Sequence, residues 1–193
     1  NTFFFLANVH MHNPYKSKIT FSPEITRGRY PWIWDPDTGK RYRITLTDGS
    51  FELELGPAET LFIVFDKVSK GEPVSAPNAL TLKNWQVELH HAREGWVKTT
   101  QMETPTDLKE TEWKDFAGTV VYRTKFDVNS SNAGDTVLNL GKVYGISQVL
   151  VNGVDCGVKW YGNRIYDIAD QLHTGSNEIE VRVVTVLGNY MHT

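Results

Sequence analysis

Along this chain apolar residues recur at every second position in short runs. Turn-forming residues interrupt them about every eight to twelve positions, which is the pattern of an antiparallel all-β fold. No stretch keeps a helical period for as long as about ten residues, short of an ordinary helix. Residues 42–55 run Tyr-Arg-Ile-Thr-Leu-Thr, then Asp48-Gly49, then Ser-Phe-Glu-Leu-Glu-Leu, and predict a hairpin. The reason is that an Asp-Gly pair takes the positive φ angles of a two-residue type I′ turn. Phe51, Leu53 and Leu55 then share one face, and Glu52 and Glu54 the other. Upstream, Trp32 and Trp34 fall on one face of a strand that leads into a turn through Asp35, Pro36, Asp37, Thr38 and Gly39, where the proline presets φ. Residues 59–65, Glu-Thr-Leu-Phe-Ile-Val-Phe, read as a largely buried strand closing this first block.

Gly71, Pro73, Ser75, Pro77 and Asn78 then break the pattern as a linker does. The expected organisation is a small antiparallel β domain over 1–68, incomplete at its N-terminus, a linker over 69–82, and a β-sandwich over 83–193. The second block predicts strands near 85–90, 118–128, 136–140, 148–151 and 177–185. Asn152-Gly153, between Val-Leu-Val and Val-Asp-Cys-Gly-Val, is a second hairpin signal. Residues 167–172, Asp-Ile-Ala-Asp-Gln-Leu, followed by Gly175, predict one short helical turn. No internal repeat or low-complexity tract interrupts this order.

Composition narrows the function classes. The 193 residues are 40% hydrophobic and 22% charged, enough apolar material for a real core. A formal net charge of -3 provides no broad basic field, so nucleic acid and anionic membrane surfaces are excluded as expected partners. The longest apolar run, from Phe3 to about Val9, is far short of the roughly 20 residues of a membrane span. A single cysteine, Cys156, rules out an intrachain disulfide and disfavours a cysteine-based metal site. The chain opens directly on Asn1-Thr-Phe-Phe-Phe-Leu, which reads as an excised or processed piece.

The second block also carries an ordered series of short motifs. Trp113, Phe116, Ala117 and Gly118 precede Tyr122-Arg-Thr-Lys-Phe126; then come Leu138-Asn-Leu-Gly141, Val149-Leu-Val-Asn-Gly153, Gly157, Tyr166-Asp-Ile168, Leu172 and Gly175-Ser-Asn-Glu-Ile-Glu-Val181. From Trp85 to Thr193 this series resembles the galactose-binding-like, jelly-roll sugar-binding domain of family 2 glycoside hydrolases. It also resembles the related C-terminal module of bacterial rhamnosidase-like hydrolases. The first block, with its Trp34 to Gly39 turn, Asp-Gly hairpin and the run from Pro57 to Phe65, resembles the small β domain that precedes this module in the same hydrolases. The resemblance implies a non-catalytic accessory region that supports an upstream catalytic barrel of the same polypeptide. It further implies carbohydrate as the partner, a secreted or periplasmic location, and a family sequence that continues past the segment matching 186–190. The acid and base carboxylates of the family belong to the barrel, so the resemblance carries no catalytic residue onto this chain.

The residues agree with that reading. A glycosidase needs two carboxyl groups about 5 to 10 Å apart, one of them with a raised pKa. Glu52 with Glu54, and Glu178 with Glu180, instead sit at strand spacing on expected solvent faces. His10-Met-His12 places two imidazoles on one strand face and His90-His91 adds a pair, but no third zinc ligand follows at a telling spacing, so these read as surface or rim histidines. Cys156 has no histidine partner in view and reads as a small buried thiol. No Gly-x-Ser-x-Gly elbow, phosphate loop or dinucleotide fingerprint is present.

The candidate contact for carbohydrate is the connection carrying Trp160, Tyr161, Asn163 and Arg164, with Tyr144 bordering the same end. Sugars offer flat C–H faces to aromatic rings, and hydroxyls to amide and guanidinium groups. The alternative is structural, with Trp160 or Tyr161 packing over the end of the sandwich and Arg164 pairing with Asp167 or Asp170. Trp32, Trp34, Trp85 and Trp113 are expected in the core, and Trp96, after Gly95, at the surface. Asn129-Ser-Ser131 matches a glycosylation sequon. No cofactor is expected; a structural calcium, common in such sandwiches, stays open with no ligand assignable. Three functional readings therefore stand: an accessory region of a glycoside hydrolase, an autonomous carbohydrate-binding module, and a purely structural sandwich.

Overall fold

The computed structural model describes residues 2–36, 39–69, 81–129, 136–188 and 191. The expected turn at Asp37-Thr38, most of the 69–82 linker, the sequon's Ser130 and Ser131, and residues 189–190 lie outside the described residues. The chain divides into two compact units, the first being Asn1–Ala76 with Tyr161–Asn163, the second Pro77–Trp160 with Arg164–Thr193.

The first unit contains β1 (Thr2–Ala7), β2 (Tyr15–Thr20), a helical turn α1 (Pro23–Thr26), β3 (Tyr30–Trp34), β4 (Arg41–Arg43), β5 (Ser50–Leu55) and β6 (Thr60–Asp66). Two antiparallel sheets form, one in the order β1-β6-β3-β4 and one pairing β2 with β5. Between them Phe21, Ile44, Ile63 and Phe65 are buried, with Phe4, Leu6, Ile19 and Phe51 packed against them. Phe21 stacks parallel to Phe51 and meets Phe65 edge-on at 4.8 Å. The alternation of β1 places Phe4 and Leu6 inward while Phe3 and Phe5 stay exposed. Trp32 and Trp34 do share a face, and the Arg41 guanidinium lies over both rings at 6.0 and 5.6 Å.

Asp48 and Gly49 adopt the expected positive φ angles of 50° and 71°, and Thr47 and Ser50 exchange backbone bonds of 2.8 and 3.0 Å. Beyond that bridge the arms separate, because β4 pairs with β3 and β5 with β2. The predicted hairpin is thus a corner between sheets. Ile44 and Phe51 contribute to one core from the two layers, which a continuous ladder between the arms would prevent.

The second unit contains β7 (Trp85–His91), β8 (Val97–Met102), a 3-10 turn (Leu108–Glu110), β9 (Gly118–Val128), β10 (Val137–Asn139), β11 (Gly145–Val151), β12 (Val154–Lys159), β13 (Ile165–Asp167), a 3-10 turn (Ala169–Gln171) and β14 (Gly175–Thr185). A six-stranded antiparallel sheet runs β12-β11-β14-β9-β7-β8, and β10 pairs with β13. One face of the large sheet supplies Val87, Leu89, Val120, Tyr122, Val149, Val151, Ile179 and Val181 to the core, and Tyr166 and Ile168 meet them from the smaller layer. The fold is therefore all-β and of sandwich type. Asn152 and Gly153, at φ 52° and 80°, turn β11 into β12 as expected. The expected helical turn is the 3-10 turn at Ala169–Gln171.

Inside this core the Tyr166 hydroxyl donates to the Ser147 carbonyl at 2.7 Å and also meets the Ser147 hydroxyl at 2.7 Å. On the outer face, Arg123 reaches Glu180 at 2.6 Å and Glu88 at 3.2 Å, Arg182 reaches Glu180 at 2.6 Å, and His90 reaches Glu88 at 2.5 Å. Glu180 is thus part of a partly buried ion network rather than a solvated charge. His90 and His91 point to opposite faces, as consecutive strand residues must, so they do not act as a pair. Trp96, expected at the surface, is half-buried against His91, Trp113 and Phe116 at centroid distances of 4.8, 6.0 and 5.8 Å.

Two measurements test this account. Tyr166→Phe leaves the buried Ser147 oxygens one donor short and should cost about 1–2 kcal/mol, read as a lower urea midpoint at unchanged m. Burial pushes the Glu180 carboxyl up, but hydrogen bonds and charge from Arg123 and Arg182 outweigh it and leave the group below its ordinary value of 4.5. A depressed folded value means that this stabilisation is present above the unfolded value and is lost as pH falls through the folded one. Urea midpoints should therefore drop on acidification, and Glu180→Gln should shrink that drop; an unchanged pH slope would contradict the network.

Candidate functional site

The connection between β12 and β13 carries the predicted contact residues, and each has a different environment. Trp160 is 69% exposed and Tyr161 39% exposed. Arg164 is only 6% exposed, and its Nη2 donates to the Gly145 carbonyl at 3.1 Å. Burial holds this guanidinium below its usual pKa. The Arg164 carbonyl accepts from Leu140 N at 3.0 Å, which joins β13 to β10. Tyr144, 53% exposed, precedes Gly145 and has the Lys142 ammonium 5.0 Å from its ring centroid. Arg164 thus reaches the backbone beside Tyr144, but as a buried structural donor.

Tyr161, Gly162 and Asn163 belong to the first unit. Their anchor is the turn at residues 56–59, where Pro57 presets the bend and Ala58 takes a φ of 56°. Gly162 N donates to the Pro57 carbonyl at 2.9 Å. Asn163 Nδ2 donates to Glu59 Oε2 at 2.7 Å, and the same oxygen accepts from Gly56 N at 2.5 Å. A buried side chain, Asn8, fixes the turn from behind. Its Nδ2 donates to the carbonyls of Gly56 and Asn13, each at 2.8 Å, while its backbone N–H donates to the Glu59 carbonyl at 2.9 Å. Sequence reasoning missed Asn8 and Glu59. The Gly-Pro dipeptide at 56–57 was the available signal, since it marks a turn, but nothing local says which distant loop that turn receives.

The remaining candidates settle into structural places. His10 lies in the bend after β1, where its Nδ1 accepts from the backbone of His12 and Asn13 at 3.2 Å, so the two imidazoles do not line a strand face. Cys156 is half-buried on β12, and burial pushes its thiol pKa up, which keeps it a thiol rather than a nucleophilic thiolate. Among the described residues no group of three or more His, Cys, Asp or Glu side chains is arranged to hold a metal ion. No helix among them is long and apolar enough to cross a membrane.

A Cβ added at Gly56 would lie 2.3 Å from Asn163 Oδ1 and 2.9 Å from Asn163 N. Gly56→Ala should therefore displace Tyr161–Asn163, shift their backbone amide resonances and cost about 1–3 kcal/mol. Unchanged amide shifts at those residues would show that the turn does not hold the segment.

No protein-family model matches the chain. Over 189 aligned positions it is 32% identical to a protein of Formosa agariphila described as "Putative beta-glucuronidase", a match covering 89% of this chain and 16% of that protein. The solved rhamnosidase of Novosphingobium sp. PP1Y superimposes on 97% of this chain with a TM-score of 0.66 and 27% identity, using 19% of its own length. The chain thus spans less than a fifth of either relative. Over most of its length it is homologous to one region of glycoside hydrolases.

Proposed function

We propose that this chain is a non-catalytic accessory region of a glycoside hydrolase. In this reading its second unit is a galactose-binding-like sandwich that supports the catalytic domain of the same polypeptide. One observation carries it: the homology takes in most of this chain yet less than a fifth of each hydrolase. The state of the carboxylates supports it as well. A glycosidase acid needs a raised pKa and a partner carboxylate across the scissile bond. Glu180 is instead held low by two arginines, and Glu88 is engaged by Arg123 and His90. Glu59 spends one carboxylate oxygen on holding Gly56 and Asn163.

A second reading, an autonomous carbohydrate-binding module, is favoured by the exposed indole of Trp160, a flat platform suited to the C–H face of a sugar. Enzymatic assay separates the first reading from catalysis. The isolated chain should release no nitrophenolate above background from para-nitrophenyl β-D-glucuronide or α-L-rhamnoside, and turnover would refute the accessory reading. Calorimetric titration with rhamnose- and galactose-containing oligosaccharides decides the second. Saturable binding that Trp160→Ala weakens roughly tenfold supports the autonomous module. No heat at any attainable sugar concentration rejects it.

A further inference from the structure

We propose that the second unit holds a separate binding site for a neutral pyranose, in the cleft between the β7–β8 turn and the segment 112–116. The ligand class rests on the carbohydrate reading above, whereas the site rests on geometry of its own. The cleft has a volume of about 370 Å³, within the span of small-molecule sites. Its floor is aromatic. The indoles of Trp96 and Trp113 lie 6.0 Å apart at 42°, backed by Phe116, which is buried and 5.8 Å from Trp96. The floor is held by packing and hydrogen bonds: Trp96 Nε1 donates to Glu94 at 2.7 Å, the Trp113 backbone N–H donates to the Thr111 hydroxyl at 3.1 Å, and both rings pack against the core of the unit. A rigid aromatic surface meets a sugar's C–H face without losing much conformational freedom.

The rim sets the ligand's charge. Glu112 and Asp115 are exposed acceptors at the mouth, Glu94 is a third carboxylate, and Lys98 is the cation among the lining residues. Hydroxyl groups satisfy such a rim as donors to the carboxylates and acceptors from the ammonium. A uronate carboxylate would instead meet an excess of like charge. Lys98 Nζ lies 4.8 and 5.0 Å from the Trp96 and Trp113 rings, so the lysine covers the floor. Lys98 is exposed on an edge strand and its stem is flexible, and an exposed cation–π contact is weak enough for a ligand to displace. On displacement its ammonium moves to the rim as a donor.

The test follows the indole N–H resonances of the six tryptophans by NMR, with methyl β-D-galactopyranoside as the neutral probe and D-glucuronate as the charged one. The neutral glycoside should shift the Trp96 and Trp113 signals saturably. Glucuronate should bind several-fold more weakly, the gap narrowing as salt rises. Trp113→Ala should weaken the neutral glycoside roughly tenfold, and Trp160→Ala should leave its affinity unchanged. Glu112→Ala with Asp115→Ala, both exposed and off the core, should also weaken binding while keeping the urea midpoint. The absence of any saturable shift at Trp96 and Trp113 would mean that Lys98 is packing alone and would overturn the site. Binding abolished by Trp160→Ala but indifferent to the Glu112 and Asp115 changes would overturn it too, leaving the carbohydrate reading intact. Tighter binding of glucuronate would overturn the neutral assignment.

Discussion

The long antiparallel pair β9 and β14 runs from Gly175 opposite Val128 to Val184 opposite Thr119, and its register governs the second unit. Side chains alternate across a strand, so this register sends Tyr122, Ile179 and Val181 inward and Arg123 and Glu180 outward. A slip by one residue in either strand would reverse that assignment. It would bury charges and expose the residues on which β7, β11 and the β10–β13 layer pack. The outward face reinforces the register, because Arg123 meets Glu180 directly across the ladder and Glu88 on the neighbouring strand. Core burial and surface electrostatics therefore specify one alignment.

The first unit depends on a different device, a small polar knot around Asn8. The turn at residues 56–59 presents backbone groups that a loop would ordinarily give to water. Asn8 and Glu59 satisfy them instead, and the same carboxylate oxygen receives Asn163. Buried polar groups of this kind stabilise only when every member finds a partner, which makes the knot specific as well as cohesive. The outcome is that Tyr161–Asn163 has a defined path, with the exposed Trp160 on one side of it in sequence and the buried Arg164 on the other.

Chemically, the best-engaged carboxylates have structural partners: Glu180 meets two arginines, Glu88 meets Arg123 and His90, and Glu59 meets Gly56 N and Asn163. The aromatic rings, by contrast, are distributed between core and surface, and several present faces to solvent or to a cleft. The homologous sequence lies inside much longer glycoside hydrolases.

Much of this was legible in the sequence. The period-two alternation predicted the β9, β11 and β14 strands, and Asn152-Gly153 predicted their hairpin neighbour, because those signals are local consequences of pleat and turn geometry. The ordered motifs from Trp113 to Val181 resemble those of glycoside hydrolases, a relationship the homology bears out; physically, their turn glycines and core positions specify a sandwich and not a reaction. The exposed Trp160 and Tyr161 could be named in advance as candidates, though not the burial of Arg164. What only the tertiary structure decided are the partners. The Asp48-Gly49 turn was correctly placed, but whether its arms pair with each other or with separate sheets depends on which core Ile44 and Phe51 reach. Trp96 became half-buried through Trp113 and Phe116, and Glu180 became a network member through arginines on its own strand and the next. Asn163 acquired its role from Glu59, which lies far back in the chain. Local geometry writes itself into neighbouring residues, whereas the partner that a side chain finds across the fold is settled only when distant segments compete for the same buried space.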